Sequence, residues 1–181
     1  MNLEEKVIKV EPKYKGSIID VEKQTVKLPN GDTSTRDVVH HSKAVGILVI
    51  TKSNKMLLER QWRAPISKST LEIPAGKVDN RDDTSKHAAI RELNEETRYH
   101  ANNLKRITGF YSTVGFSDEY MDLYMATDLE PVSDELPRDQ GEYLNIDEYT
   151  LEEAMNLIDS GKIEDAKTIT AIFYWKLLQK K

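Results

Sequence analysis

Residues 71–99 read LEIPAGKVDNRDDTSKHAAIRELNEETRY, and the rest of the chain is organised around them. The second half predicts one amphipathic helix from about Thr84 to Thr97, with Ala88, Ala89, Leu93 and Thr97 toward a core. On that helix Arg91 and Glu95 stand four residues apart, a spacing that favours a local ion pair. Glu92 and Glu96 share the spacing but carry like charge, so they repel across one face. A divalent cation offsets such repulsion, because Mg²⁺ takes hard oxygen ligands, commonly carboxylates together with phosphates and water. The bland alternative is a solvated charged face, which is what most charge runs are. The preceding loop, Pro74-Ala75-Gly76, lets the backbone pass close to the same face, since glycine has no Cβ.

Working outward, AVGILVIT at 44–51 is a nearly continuous apolar run of strand length, as expected for a central strand covered on both faces. A turn at 52–55 leads into KMLLERQWRAP, a second strand closed by Pro65. Trp62 there is either core or a stacking surface, and Arg63 either a salt-bridge partner or a phosphate ligand. Beyond the helix, KRITGFY and YMDLYMAT read as strands joined by STVGFSDE, whose end carries Asp118 and Glu119. EPVSDELPRDQG at 130–141 is a polar loop with two prolines, and a short strand is expected from Gly141 to Ile146. Thr150-Leu151-Glu152-Glu153 is a capping box opening one helix, which Gly161 ends. A last helix starts near Asp165, with Ile169, Ile172, Phe173 and Leu177 along one face and Trp175 in packing.

Residues 16–41 alternate as strands around a Pro29-Asn30-Gly31-Asp32 turn, which predicts a small antiparallel sheet. A sheet that small is marginal alone and needs a partner surface in the main domain or a second subunit. His40 and His41 are adjacent in a strand and point to opposite faces, so they read as strand-end histidines and not as a metal pair.

The 181 residues suffice for one domain with a buried core. With 31% charged residues and a net charge of −5, the chain has no general attraction to nucleic acid or anionic membrane. It has no cysteine, which excludes disulfides and thiol chemistry and is compatible with a reducing cytosol. MNLEEKVIKVEPKYKG holds acidic residues and no apolar segment of the signal-peptide kind, so a soluble cytoplasmic protein is the expectation.

Gly76, Asp83 and the run Arg91-Glu92-Leu93-Asn94-Glu95-Glu96 resemble the Nudix box, whose pattern is G-x5-E-x7-R-E-U-x-E-E-x-G-U with U aliphatic. The REL-x-EE core matches. Counting back from Arg91 puts the first Glu on Asp83, whereas the spacing from Gly76 puts it on Asp82. Arg98 replaces the closing Gly and Tyr99 the last aliphatic residue, which implies either strain at a left-handed helix end or a different ending. QWRAPISKSTLEIPAGKVD resembles the segment before the box in the ADP-ribose pyrophosphatase branch, and the terminal SGKIEDAKTITAIFYWKLL is similar to that branch's last helix.

The resemblance implies a Nudix-type α/β/α sandwich with a mixed sheet, at 43–181, plus the N-terminal antiparallel strands at 1–42 as a dimer-exchange element. It implies Mg²⁺, with Mn²⁺ as an alternative, on Glu92, Glu96, the Ala75 carbonyl and Glu142. It places Arg63 on substrate phosphate, Glu72 in the binding cleft with Trp62 beside it, and Glu119 in a loop reaching toward the diphosphate. Glu95 either adds to the site or orients Arg91. Some members carry a catalytic Glu two residues before the later metal ligand; here that place is Gln140, which cannot accept a proton. Either Asp139, Glu135 or Glu119 takes that role, or the alignment slips by a residue, or activity is low. The resemblance makes Glu95, Glu119 and Glu142 the catalytic candidates. The implied reaction is hydrolysis of a nucleoside diphosphate sugar, ADP-ribose first, by a homodimer. The competing reading is a sensor that binds the same ligand without turnover.

Overall fold

In the computed structural model, which describes residues 2–179, three strands come first: β1 (Lys6–Lys15), β2 (Ile19–Lys27) and β3 (Thr33–His41). β4 (Ala44–Val49), β5 (Met56–Arg63), a 3-10 turn at Ala64–Ile66, β6 (Lys68–Glu72) and β7 (Ala75–Lys77) lead to helix α1 (Ser85–Thr97). β8 (Tyr99–Tyr111), β9 (Tyr120–Pro131), β10 (Asn145–Tyr149), α2 (Leu151–Asp159) and α3 (Ala166–Leu178) complete the chain. Two compact units form. One holds the residues before Ala44 together with Phe110–Tyr120, the other Ala44–Gly109 together with the residues from Met121 onward.

The first unit is an antiparallel sheet in the order β1-β2-β3, with its turn at Gly31, where φ is 93°. β1 adds a strand that the alternation at 16–41 did not reveal, because its Lys and Glu residues hide the Val7, Ile8 and Val10 pattern. Of these three strands only Val26 is buried. The Phe110–Tyr120 segment joins the edge of β3, with Val39 N–H donating to the Phe116 carbonyl at 2.8 Å.

The second unit is the α/β/α sandwich. One sheet runs β7-β4-β9-β8, with β4 parallel to β9 and antiparallel to β7, and another runs β10-β5-β6, antiparallel throughout. Every residue of β4 is buried, which is why the run has no polar alternation. Val45, Ile47 and Val49 pack with Ala88, Ala89 and Leu93 of α1, together with Leu57, Tyr124 and Ala126. Each large aliphatic side chain buried this way contributes about 1.5–3 kcal/mol. α3 serves β4 and the residues after β6: the Thr168 hydroxyl accepts from Ile73 N–H at 2.9 Å, and Ala171, Ile172 and Trp175 are buried. The apolar stripe expected on α3 is therefore displaced, since Phe173 and Leu177 are exposed. Its inward stripe starts at Thr168, a polar residue that helical periodicity of apolar positions passes over. The strand expected from Gly141 begins instead at Asn145, because Gly141 turns with φ of 85°. Among the described residues no helix is long and apolar enough to cross a membrane.

Both ends of α1 are set by single residues. The Thr84 hydroxyl accepts from His87 N–H at 3.2 Å and caps the start. Arg98 ends the helix in the left-handed conformation, φ 64° and ψ 24°, so of the two endings open in the sequence the strained one is present. Its guanidinium compensates by donating to the carbonyls of Asn94 (3.3 Å) and Leu136. Arg98→Gly and Arg98→Ala lose the same contacts, but only glycine relieves the backbone. The Gly variant should exceed the Ala variant by about 1 kcal/mol in urea unfolding. Equal stabilities would show that this turn carries no strain.

Candidate active site

The charged face of α1 is not solvated: Arg91, Glu92, Glu95 and Glu96 are all buried. Arg91 holds this face together. Its Nε and Nη2 donate to Asp82 at 3.1 and 2.8 Å, Nη2 also to the Lys77 carbonyl at 2.9 Å, and Nη1 to Glu92 and Glu95 at 2.7 and 2.8 Å. Burial alone would raise Asp82, but the Arg91 fork holds its carboxyl below the usual range. Asp82, then, takes the first acidic place of the box. Asp83 is exposed, and among the described residues its one ion pair is with His87, at 3.6 Å.

Glu95 has both oxygens engaged by arginines, accepting from Arg91 and from Arg81 Nη1 at 3.2 Å. That geometry makes it a brace for Arg91. Glu92 and Glu96 are less well compensated. Burial pushes Glu92 up to about 7 in spite of Arg91, which is shared with Asp82 and Glu95. Burial pushes Glu96 well above the carboxylate range, and the charges of Glu59, Glu92 and Glu142 add to it, while Ala75 N–H, donating at 3.0 Å, opposes.

Gly76 makes room for this arrangement. A Cβ there would lie 2.0 Å from Glu92 Oε1 and 2.1 Å from its Cδ. Because the obstacle is the end of a flexible side chain, Gly76→Ala should displace the Glu92 carboxylate and leave the fold standing. The expected result is a fall in kcat of about 10–100-fold with a melting temperature close to wild type. A large loss of stability with normal kcat per folded molecule would refute this role for Gly76.

Across from α1, β5 and β6 carry the other candidates. Arg63 Nε and Nη2 donate to Glu72 at 2.7 and 2.6 Å, and Lys167 Nζ and the Thr70 hydroxyl donate to the same carboxylate. Burial works to raise Glu72, but Arg63 and Lys167 outweigh it and hold the group at about 2. In this arrangement Arg63 keeps only its Nη1 edge for an anion. Trp62 is largely exposed, which excludes the core alternative for it. Glu142, in the loop before β10, accepts from Gln61 Nε2 at 3.3 Å, and burial followed by the nearby Asp139 raises its proton affinity. That loop is strapped to the end of α1: Arg138 Nη2 donates to the Glu96 carbonyl at 2.9 Å, and the Asn94 side chain bonds the backbone of Asp134 and Leu136.

Glu119 belongs to the first unit, where it accepts from the Ser112 hydroxyl and lies 3.4 Å from His41 Nδ1. Its neighbour Asp118 is held by His40 Nδ1 at 2.6 Å and by His41 N–H at 2.9 Å. His40 also reaches Glu22 at 3.2 Å, and Asp118 and Glu22 together raise its proton affinity. Glu135 pairs with Arg98 at 3.3 Å, and Asp139 lies 3.8 Å from Arg81.

The carboxylates of α1 fit a divalent cation by their chemistry. Glu92 and Glu96 are buried acids with raised proton affinity, Glu142 bears on both, and Gly76 lets the Ala75 loop close on them. Among the described residues no three acidic or histidine side chains converge closely enough to ligate one ion unaided, so waters and substrate oxygens would complete its shell. Sequence reasoning missed Glu59, Gln61 and Lys167. For Glu59 a signal exists: in MLLE an acid stands two residues from Leu57, on the inward face of a buried strand. Lys167 offers none beyond its place one residue inside α3.

Residues 40–172 match the NUDIX domain family. An ADP-ribose pyrophosphatase of Bacillus subtilis (strain 168) is 39% identical over 97% of this chain and 95% of its own length. A methanol dehydrogenase activator of Bacillus methanolicus is 38% identical over 96% of this chain and 94% of its own. The crystal structure of an ADP compounds hydrolase superposes with a TM-score of 0.88 at 23% identity, covering 99% of this chain and 97% of that one, and supports the fold.

Proposed function

The chain belongs to the Nudix hydrolase family, and on that premise we propose that it is a Mg²⁺-dependent pyrophosphohydrolase cleaving ADP-ribose to AMP and ribose 5-phosphate. The observation that carries this reading is the pair Glu92 and Glu96, buried four residues apart on α1 with too little positive charge to neutralise both. Relatives named ADP-ribose pyrophosphatase support the substrate. Mn²⁺ would serve as an alternative ion.

Glu92, Glu96, Glu142 and the Ala75 carbonyl would hold the ion. When bound it supplies charge neutralisation at the diphosphate and a lower pKa for the attacking water. Asp82, Arg81 and Glu95 keep Arg91 in place, and Arg91 keeps Glu92 aimed. Arg63 offers its free Nη1 edge to a phosphate while Glu72 and Lys167 fix its plane. Trp62, exposed at the end of β5, offers a face for stacking the base. Water adds to one phosphorus as the bridging P–O bond breaks, and its proton passes to an acid. With Glu95 committed to two arginines, Glu142 is the acid that this unit offers for that step. The Gln140 amide, at the place of a family carboxylate, favours the second reading, a sensor with little turnover.

A homodimer is part of the proposal. Val7, Ile8, Val10 and Tyr14 on β1 are exposed, and a second copy is the apolar partner such a sheet needs. A monomeric mass by light scattering in a fully active preparation would contradict it.

The substrate is tested by incubating the protein and Mg²⁺ with ADP-ribose and a panel of other nucleoside diphosphate sugars, with and without chelator. The reading requires metal-dependent AMP release with highest kcat/KM on ADP-ribose. Thermal stabilisation by ADP-ribose without AMP release would establish the sensor instead.

A further inference from the structure

β5 carries a carboxylate that the reaction does not use. Glu59 is 1% exposed, and neither of its oxygens has a hydrogen-bond partner among the described residues. The amide oxygen of Gln61, two residues on and thus on the same strand face, is also buried and unpartnered. The nearest cations are committed elsewhere, since Arg63 and Lys167 both donate to Glu72. Gln61 gives its Nε2 to Glu142, which directs its oxygen away from that contact. The strand itself does not call for an acid here: Leu57 occupies the equivalent inward place one step earlier and is buried in the core. A buried carboxylate with no donor is strongly unfavourable, so three orphaned acceptor oxygens on one strand face point to a missing positive charge.

Resting on the metal-dependent reading above, we propose that Glu59 and the Gln61 amide oxygen are ligands of a further divalent cation, held on the β5 side of the cleft beside Glu96. The charges of Glu59 and Glu96 bear directly on each other, as do those of Glu59 and Glu142. A hard divalent ion needs only one or two carboxylates when waters and substrate phosphate fill its shell, so this pair suffices where no three acids converge. An ion here would stand against the diphosphate from the strand side, while Glu92 and Glu96 serve it from the helix side. The competing occupant is a proton, which would leave Glu59 a neutral buried acid with no part in cation binding.

The test titrates metal-free protein with Mn²⁺ and follows free Mn²⁺ by electron paramagnetic resonance. Wild type should bind two classes of ion. Glu59→Gln should weaken one class at least tenfold and keep the other, whereas Glu96→Gln should weaken binding overall. If Glu59→Gln binds as wild type while Glu96→Gln does not, this inference is wrong and the helix site stands. If wild type binds no Mn²⁺, the metal-dependent reading itself fails. Glu59→Leu, which suits a buried strand, guards against misfolding of the Gln variant. Its metal-free form should melt above wild type, and Mn²⁺ should raise its melting temperature less. An equal Mn²⁺-induced rise would assign Glu59 to the proton and overturn the proposal.

Discussion

Glu96→Gln should lower turnover on the order of 10³-fold at saturating Mg²⁺ and leave the metal-free protein at least as stable as wild type at pH 8. The two effects have one cause. Glu96 is buried beside Glu59, Glu92 and Glu142, so its negative charge is useful only when a cation shares the site. Removing the charge removes a ligand and, without metal, a repulsion. The same logic sets a pH dependence. Glu59 is raised to about 8 and Glu92 to about 7, above the value of about 4.5 that such groups have when unfolded. Between those limits the folded protein binds more protons than the unfolded chain, so raising the pH lowers stability. Metal-free protein should lose on the order of 1–3 kcal/mol from pH 5 to pH 8, and Mg²⁺ should restore it. Glu72 acts in the opposite sense: held at about 2, it stabilises above its unfolded value and ceases to as pH falls through 2. Chemical denaturation across pH, with and without Mg²⁺, measures both. A metal-free stability that climbs steadily from pH 5 to 8 would contradict the placement of these acids.

Arg91→Met should destabilise the protein by about 3–5 kcal/mol, the largest stability effect expected of any single change in the site. The guanidinium is buried and donates to three carboxylates and one carbonyl. Methionine fills much of the volume but leaves Asp82 and Glu95 buried with their main partner gone; Glu95 would keep Arg81 alone. Arg91→Lys should recover only part of the loss, because one ammonium cannot reach Asp82, Glu92 and Glu95 in the directions of a planar fork. Urea unfolding at pH 7 checks this, and a loss below about 1 kcal/mol would mean that Asp82 and Glu95 find water in place of Arg91.

The fold was legible wherever local pattern and tertiary need agree. AVGILVIT could only be a strand covered on both faces, and Ala88, Ala89 and Leu93 repeat with helical period against it. Thr84 and Thr150 cap helices as their side-chain chemistry requires. The site was legible where a spacing carries it, as at Glu92 and Glu96. It was illegible where a long-range contact decides a residue's state. Asp82 and Asp83 are chemically alike and adjacent; only the reach of Arg91, nine residues from Asp82, separates the buried partner from the exposed one. For Arg63 the sequence leaves salt-bridge partner and phosphate ligand open. Only side-chain reach across β5 and β6, where the register sets Glu72 opposite Glu59 and Arg63 opposite Lys68, brings it to Glu72, with Lys167 joining from a helix 95 residues from Glu72. For Glu59 the local signal is only the strand face it shares with Leu57, which marks the acid as inward but not as unpartnered.

The most direct measurement of the central claim is AMP formation from ADP-ribose as a function of free Mg²⁺, for wild type and Glu96→Gln at the same protein concentration. Wild type should show no turnover in chelator, a saturable rise with Mg²⁺ and equal yields of AMP and ribose 5-phosphate, while Glu96→Gln stays near baseline throughout. Turnover that persists in chelator, or that Glu96→Gln retains at saturating Mg²⁺, would contradict a reaction built on the buried acids of α1.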